Sequence, residues 1–188
     1  MMINLIDNAF CFYKKHIFDI EKINLLESHN LRVSGSVPSV MWELFASILT
    51  NNNGKDGYGA DLHGWEVKSS IYGSSYEYQY HLNTGLEKLH DDCNVNHLFC
   101  SYSSDYKNVI VKAISGKVLS RDYFHKWIPE YQDNYKKDAP KNERRQRFRK
   151  SIPFGVIQKN GTTILEIKDS VIIYRNDDAL NAFNSDRL

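Results

Sequence analysis

Apolar residues recur at three- and four-residue steps through the first segment, at Ile3, Ile6, Phe10, Tyr13, Ile17 and Ile20. That period predicts a single apolar stripe on a helix. Asn24 and Glu27 take the next two seam positions and end the stripe, and His29-Asn30 reads as the helix exit. About two to three heptads are too few for a free-standing coiled coil. Residues 1–30 therefore read as a core-packed amphipathic helix, with a dimer contact as the alternative.

Ser34-Gly35-Ser36 is loop chemistry, and Pro38 can open a helix because its missing N–H would be unpaired in the first turn. Val40, Met41, Leu44, Phe45 and Ile48 then keep helical spacing. Glu43 in that run reads as solvent-facing, a metal-directed orientation being the alternative. The Asn- and Gly-rich run 51–57 predicts a loop. From Trp65 to Ile71 the period changes to two, placing Trp65, Val67 and Ser69 on one strand face and Glu66, Lys68 and Ser70 on the other. After the Gly-, Ser- and Tyr-rich stretch 72–80, Asn83 or Thr84 can cap a short helix. Residues 95–102 and 108–114 predict an antiparallel pair joined across Ser103-Ser104-Asp105. A helix beginning at Ser120 is expected to stop at Pro129. Residues 154–158 and 162–167 predict a hairpin over Lys159-Asn160-Gly161, because Asn-Gly favours tight turns. Residues 171–174 suit an edge strand, and the last dozen residues a frayed tail. The elements add up to an α/β chain with a central mixed sheet of about five strands flanked by helices.

Composition narrows the classes. The 188 residues suit one domain, with its core at 37–175 and the N-terminal helical segment before it. No stretch approaches the roughly 20 apolar residues of a membrane span. The N-terminus lacks a secretion signal, and three cysteines at irregular spacing suit a reducing compartment, so a cytoplasmic location is expected. The net charge of +1 hides a cluster. Lys136, Lys137, Lys141, Arg144, Arg145, Arg147, Arg149 and Lys150 are opposed only by Asp138 and Glu143. Such a run is either a solvated loop or a field suited to phosphates.

The chemistry concentrates in Asp61-Leu62-His63-Gly64-Trp65-Glu66-Val67-Lys68. One carboxylate precedes a strand, and a second shares a strand face with an ammonium. Phosphodiester hydrolysis needs hard oxygen ligands for Mg²⁺, a water acidified by that ion, and positive charge near phosphorus. Asp61 and Glu66 can supply the ligands, with the Val67 carbonyl as a third. Lys68 can supply the charge or help deprotonate the water. A bare Glu-x-Lys is more often a surface ion pair; the preceding Asp, the apolar neighbours and the basic run downstream shift the balance.

The pattern Asp61-x4-Glu66-x-Lys68 resembles the motif of the PD-(D/E)xK nucleases, and over residues 37–161 the order of elements is similar to that of PvuII-like type II restriction endonucleases. The resemblance implies a restriction-endonuclease-like fold, Mg²⁺ held by Asp61 and Glu66, and a Lys68 that assists the attacking water. It also implies cleavage of double-stranded DNA at a short, palindromic sequence. A homodimer and a cognate DNA methyltransferase protecting the same sites would be the partners. His81 matches a stretch that reads bases in that family, although Tyr78-Gln79-Tyr80 replaces its histidines and implies a different sequence read. The shorter Asp–Glu spacing leaves Asp56 as an alternative first ligand. Gln79 and Asn83 can each pair with adenine, the neighbouring tyrosines can pack on sugar or bases, and Arg144, Arg145, Arg147 and Arg149 can reach phosphates or guanine edges. A repair or junction-resolving nuclease and a non-catalytic DNA-binding protein are the competing readings. Structural zinc is disfavoured, because a separation of three on a strand sends His97 and Cys100 to opposite faces. No phosphate-cradling glycine motif and no activated Cys–His context is present.

Overall fold

The computed structural model describes residues 4–57, 59–135, 140 and 147–185. Ile3 and the basic residues Lys136, Lys137, Lys141, Arg144 and Arg145 lie outside the described residues. The N-terminal stripe folds as two helices instead of one, α1 (Leu5–Phe12) and α2 (Ile20–Ser28), joined by a π turn at Tyr13–Ile17. Local capping explains the break: Asp19 accepts the Lys22 backbone N–H at 3.0 Å and starts a new helix. Ile6, Tyr13 and Ile17 are fully buried, so the stripe serves the chain's own core. Ile20, beyond the break, loses the phase and is 48% exposed.

In α3 (Ser39–Thr50) the core face is Trp42, Phe45, Ala46 and Leu49, rotated from the expected one, and Val40 and Leu44 face solvent. Trp42 sets the rotation by stacking on Tyr102, with ring centroids 4.9 Å apart.

The chain is α/β, with a five-stranded mixed sheet flanked by helices. The sheet comprises β1 (Trp65–Ile71), β3 (Asn96–Tyr102), β4 (Val109–Ser115), β6 (Thr162–Lys168) and β7 (Val171–Arg175), in spatial order β1-β3-β4-β6-β7. Only the β1–β3 pairing is parallel. Between them in sequence come β2 (Tyr76–His81) and α4 (Gly85–Asp92). One sheet face packs with α1 and α3 through Val67, Leu98, Cys100 and Val111. The other carries Phe99 and Ile114 beneath an aromatic cluster of Tyr76, Tyr78, Tyr80, Phe124, Trp127 and Phe148.

Several expectations are corrected. The stretch 72–80 contains a strand: β2 buries Tyr76, Tyr78 and Tyr80 and pairs antiparallel with β5 (Arg147–Ile152) in a separate two-stranded ribbon. The tyrosines therefore face the core and not a ligand. The helix expected from Ser120 is two, α5 (Gly116–Asp122), capped by Ser115, and α6 (Phe124–Asn134). Pro129 lies inside α6 without ending it. Pro129 and His125 are both exposed, so water can serve the carbonyl that loses its donor. Residues 154–160 form helix α7 (Phe154–Asn160) and no hairpin. Pro153 opens it with φ −62° and ψ 141°, and Gly161 closes it by donating to the Ile157 carbonyl at 2.9 Å. The tail forms α8 (Asp177–Ser185), anchored by buried Leu180 and by Phe183 beside Trp65. Among the described residues no helix is long and apolar enough to cross a membrane.

Candidate active site

The segment before β1 folds back on it. Leu62 and Trp65 exchange backbone hydrogen bonds at 2.9 and 3.2 Å across His63-Gly64, and Gly64 takes φ 79° in that turn. The reversal lays Asp61 beside Glu66. The Asp61 N–H points at Glu66 Oε2, 3.3 Å away, and Asp61 Oδ2 accepts the Val67 N–H at 2.9 Å. Because β1 is an edge strand, Val67 turns its N–H to the unpaired side. In extended backbone a residue's N–H and C=O point the same way, so the Val67 carbonyl also opens toward Asp61.

Glu66 and Lys68 share the strand face, as their spacing requires, and Lys68 Nζ sits 2.6 Å from Glu66 Oε1. Glu66 is wholly buried. Its second oxygen is held by a residue the sequence reading did not single out, Lys88 on α4, whose Nζ lies 2.8 Å from Oε2. Lys88 also donates to the Gly59 carbonyl at 3.1 Å and stands 3.4 Å from Asp92 Oδ1. Asp92, buried as well, accepts the Tyr80 hydroxyl at 2.8 Å. The only sequence signal for this second pair is its i,i+4 spacing on the predicted helix. The Lys68 ammonium also lies 4.8 Å from the centre of the Tyr78 ring.

Electrostatics separates the acids. Burial works to raise Glu66, but Lys68 and Lys88 outweigh it and hold the pKa at about 2. Burial, then the Glu66 charge, pushes Asp61 up to about 6. The same two causes push Asp92 up to about 7. Burial works to lower Lys68, yet Glu66 and Asp61 raise it above the ordinary lysine value, so it keeps its proton.

A divalent cation fits this donor set. Among the described residues no three His, Cys, Asp or Glu side chains gather around one point, so a cation here would draw on two carboxylates, the Val67 carbonyl and water. Mg²⁺ characteristically retains several waters and takes one or two carboxylates. Asp61 Oδ1 has no hydrogen-bond partner among the described residues, and the mutual repulsion of Asp61 and Glu66 is what a cation would relieve. Asp56 is exposed in the preceding loop and Glu43 is half-buried on α3; neither has a hydrogen bond or ion pair in this network.

Four of the DNA-facing candidates, from two distant segments, meet in register as two pairs. Gln79 lies opposite Arg149, and His81 opposite Arg147, on the outer face of the β2–β5 ribbon. Gln79 is half-buried and the other three are exposed. Arg149 Nε donates to Gln79 Oε1 at 3.1 Å, and Gln79 Nε2 lies 3.1 Å from His81 Nε2. Asn83 is exposed in the turn after β2, whereas Arg144 and Arg145 fall outside the described residues. Lys150 turns back to pair with Glu130. His97 and Cys100 belong to opposite faces of the sheet, so they share no metal site. No protein-family model matches the chain, and no curated protein matches it.

Proposed function

We propose that the chain is a Mg²⁺-dependent endonuclease of double-stranded DNA, of the site-specific restriction type, built on a restriction-endonuclease-like core. The observation that carries this reading is the placing of Asp61 beside the Glu66–Lys68 pair at edge strand β1, with the Asp61 N–H on Glu66 Oε2, the Asp61 carboxylate on the Val67 N–H and Lys68 Nζ on Glu66 Oε1. Asp61, Glu66 and the Val67 carbonyl would hold the cation, which when bound supplies an acidified water and charge neutralisation at the phosphate. Lys68, whose ammonium Glu66 and Asp61 stabilise, would supply positive charge beside the attacked phosphate or help to deprotonate the attacking water. The outer face of the β2–β5 ribbon, with Gln79, His81, Arg147 and Arg149, supports contact with duplex DNA. A palindromic target asks for a two-fold protein, hence a homodimer, and host DNA would need a methyltransferase acting on the same sites.

The test is incubation of supercoiled plasmid with purified protein and Mg²⁺. Discrete fragments are expected, and Lys68→Ala should lower the cleavage rate about a hundredfold or more while sparing DNA binding. Cutting confined to branched or damaged substrates would favour a repair or junction-resolving nuclease. Binding without cutting by the intact protein would leave a non-catalytic DNA-binding protein.

A further inference from the structure

Glu66 carries one ammonium on each carboxylate oxygen, Lys68 on Oε1 at 2.6 Å and Lys88 on Oε2 at 2.8 Å. Lys68 comes from the same strand. Lys88 reaches across from α4, where Asp92 lies one helical turn further on and 3.4 Å from the same ammonium. Asp92 is fixed in turn, because the Tyr80 hydroxyl occupies its Oδ2 and leaves Oδ1 to Lys88. Lys88 therefore stands between two fully buried carboxylates, and one of them is an oxygen donor the proposed cation needs.

An oxygen bound to a divalent cation cannot keep an ammonium at hydrogen-bond distance without close repulsion between two positive centres in a poorly solvated site. Leaving Glu66 underpaired in the metal-free chain is also costly, because an uncompensated buried charge is strongly destabilising. We propose that Lys88 is a built-in counter-ion that competes with the divalent cation for Glu66, and that Asp92, positioned by Tyr80, is the seat to which its ammonium withdraws. The inference rests on the nuclease reading. Lys88 is on this account a positioning residue. It keeps the acid cluster paired without metal, and Asp92 makes Glu66 easier to release.

Calorimetric titration of Ca²⁺ into the 188-residue chain tests this in wild type, Lys88→Met, Asp92→Asn and the double variant, with wild-type plasmid cleavage in Mg²⁺ run alongside. Lys88→Met should bind Ca²⁺ about tenfold more tightly than wild type, and Asp92→Asn about tenfold more weakly, within the coupling range of contacting residues. With Lys88 already replaced, Asp92→Asn should have little effect, because Asp92 acts through the lysine. An equal effect of Asp92→Asn in both backgrounds marks a general field effect and overturns the inference, as does unchanged or weaker binding by Lys88→Met. If Lys88→Met is too unstable to titrate, Lys88→Gln keeps a donor for the Gly59 carbonyl and must show the same tightening, or the inference fails. Wild-type protein that neither binds Ca²⁺ nor cuts plasmid overturns the nuclease reading together with the inference. Wild type that does both, beside a Lys88 variant with no gain in affinity, overturns the inference alone.

Discussion

Neighbouring ionisable groups in this chain are driven apart by their immediate partners. Glu66 is the more deeply buried of the two acids at β1, yet it is the more acidic, because two ammoniums touch it and, among the described residues, none pairs with Asp61. His97, under the aromatic cluster, shows the opposite outcome of burial. Its Nε2 lies 2.8 Å from the Asp92 carbonyl, which can only accept, so Nε2 carries the proton and Nδ1 accepts from the Tyr78 hydroxyl at 2.9 Å. The ring is thus satisfied in its neutral form, and burial lowers its pKa from 6.5 to about 4. Between those values the unfolded chain binds more protons than the folded one. The His97 contribution to stability is therefore complete above pH 6.5 and is lost as pH falls toward 4. Urea unfolding of wild type and His97→Gln should show the wild-type advantage shrinking by about 3 kcal/mol across that window, at about 1.4 kcal/mol per pKa unit. A constant difference between the two would contradict a buried neutral imidazole.

At the scale of elements, the position of Lys88 and Asp92 depends on how α4 hands over to β3 and how α5 packs against that junction. Gly116 opens α5, and its N–H donates to the Val95 carbonyl at 2.8 Å. A Cβ there would lie 2.4 Å from the carbonyl oxygens of both Asp92 and Val95, main-chain atoms that cannot rotate away. Gly116→Ala should accordingly cost about 3 kcal/mol or more in denaturant unfolding, the scale of overpacking at a rigid contact. A loss below about 0.5 kcal/mol, typical of surface substitutions, would refute the contact. The same scale explains what the sequence disclosed. The strands β1, β3, β4, β6 and β7 were legible because their apolar residues alternate or run together between turn residues, and the shared face of Glu66 and Lys68 followed from the period of two. The tyrosine alternation at 76, 78 and 80 was equally regular, but its partner β5 lies about seventy residues on, inside a run that reads by charge as a loop. Asn160-Gly161 signals a chain reversal in either a hairpin or a helix exit, and only Ile157 packing into the core decides for the helix. Lys88 was hidden for a similar reason: nothing on α4 itself shows that β1 will place a carboxylate against it.

Across the whole molecule the near-neutral net charge of +1 conceals an uneven surface. The ribbon presents Arg147 and Arg149 outward while Tyr78 on its inner face touches Lys68, so the residues proposed to contact DNA and those proposed to cut it belong to one connected unit. If the arginines meet phosphates, Arg147→Ala and Arg149→Ala should each weaken duplex binding across unrelated sequences and reduce the slope of log affinity against log salt by about one. Fluorescence anisotropy over a salt series measures this, and slopes matching wild type in both variants would exclude phosphate contact. The antiparallel pairing of the ribbon has one more consequence. Position 79 faces 149 and position 81 faces 147, so a change at either member alters the neighbourhood of the other. If the ribbon reads DNA as proposed, descendants of this protein that came to favour different DNA would be selected for coupled replacements across the two strands, and an engineer redirecting it should randomise those couples jointly instead of scanning one strand at a time.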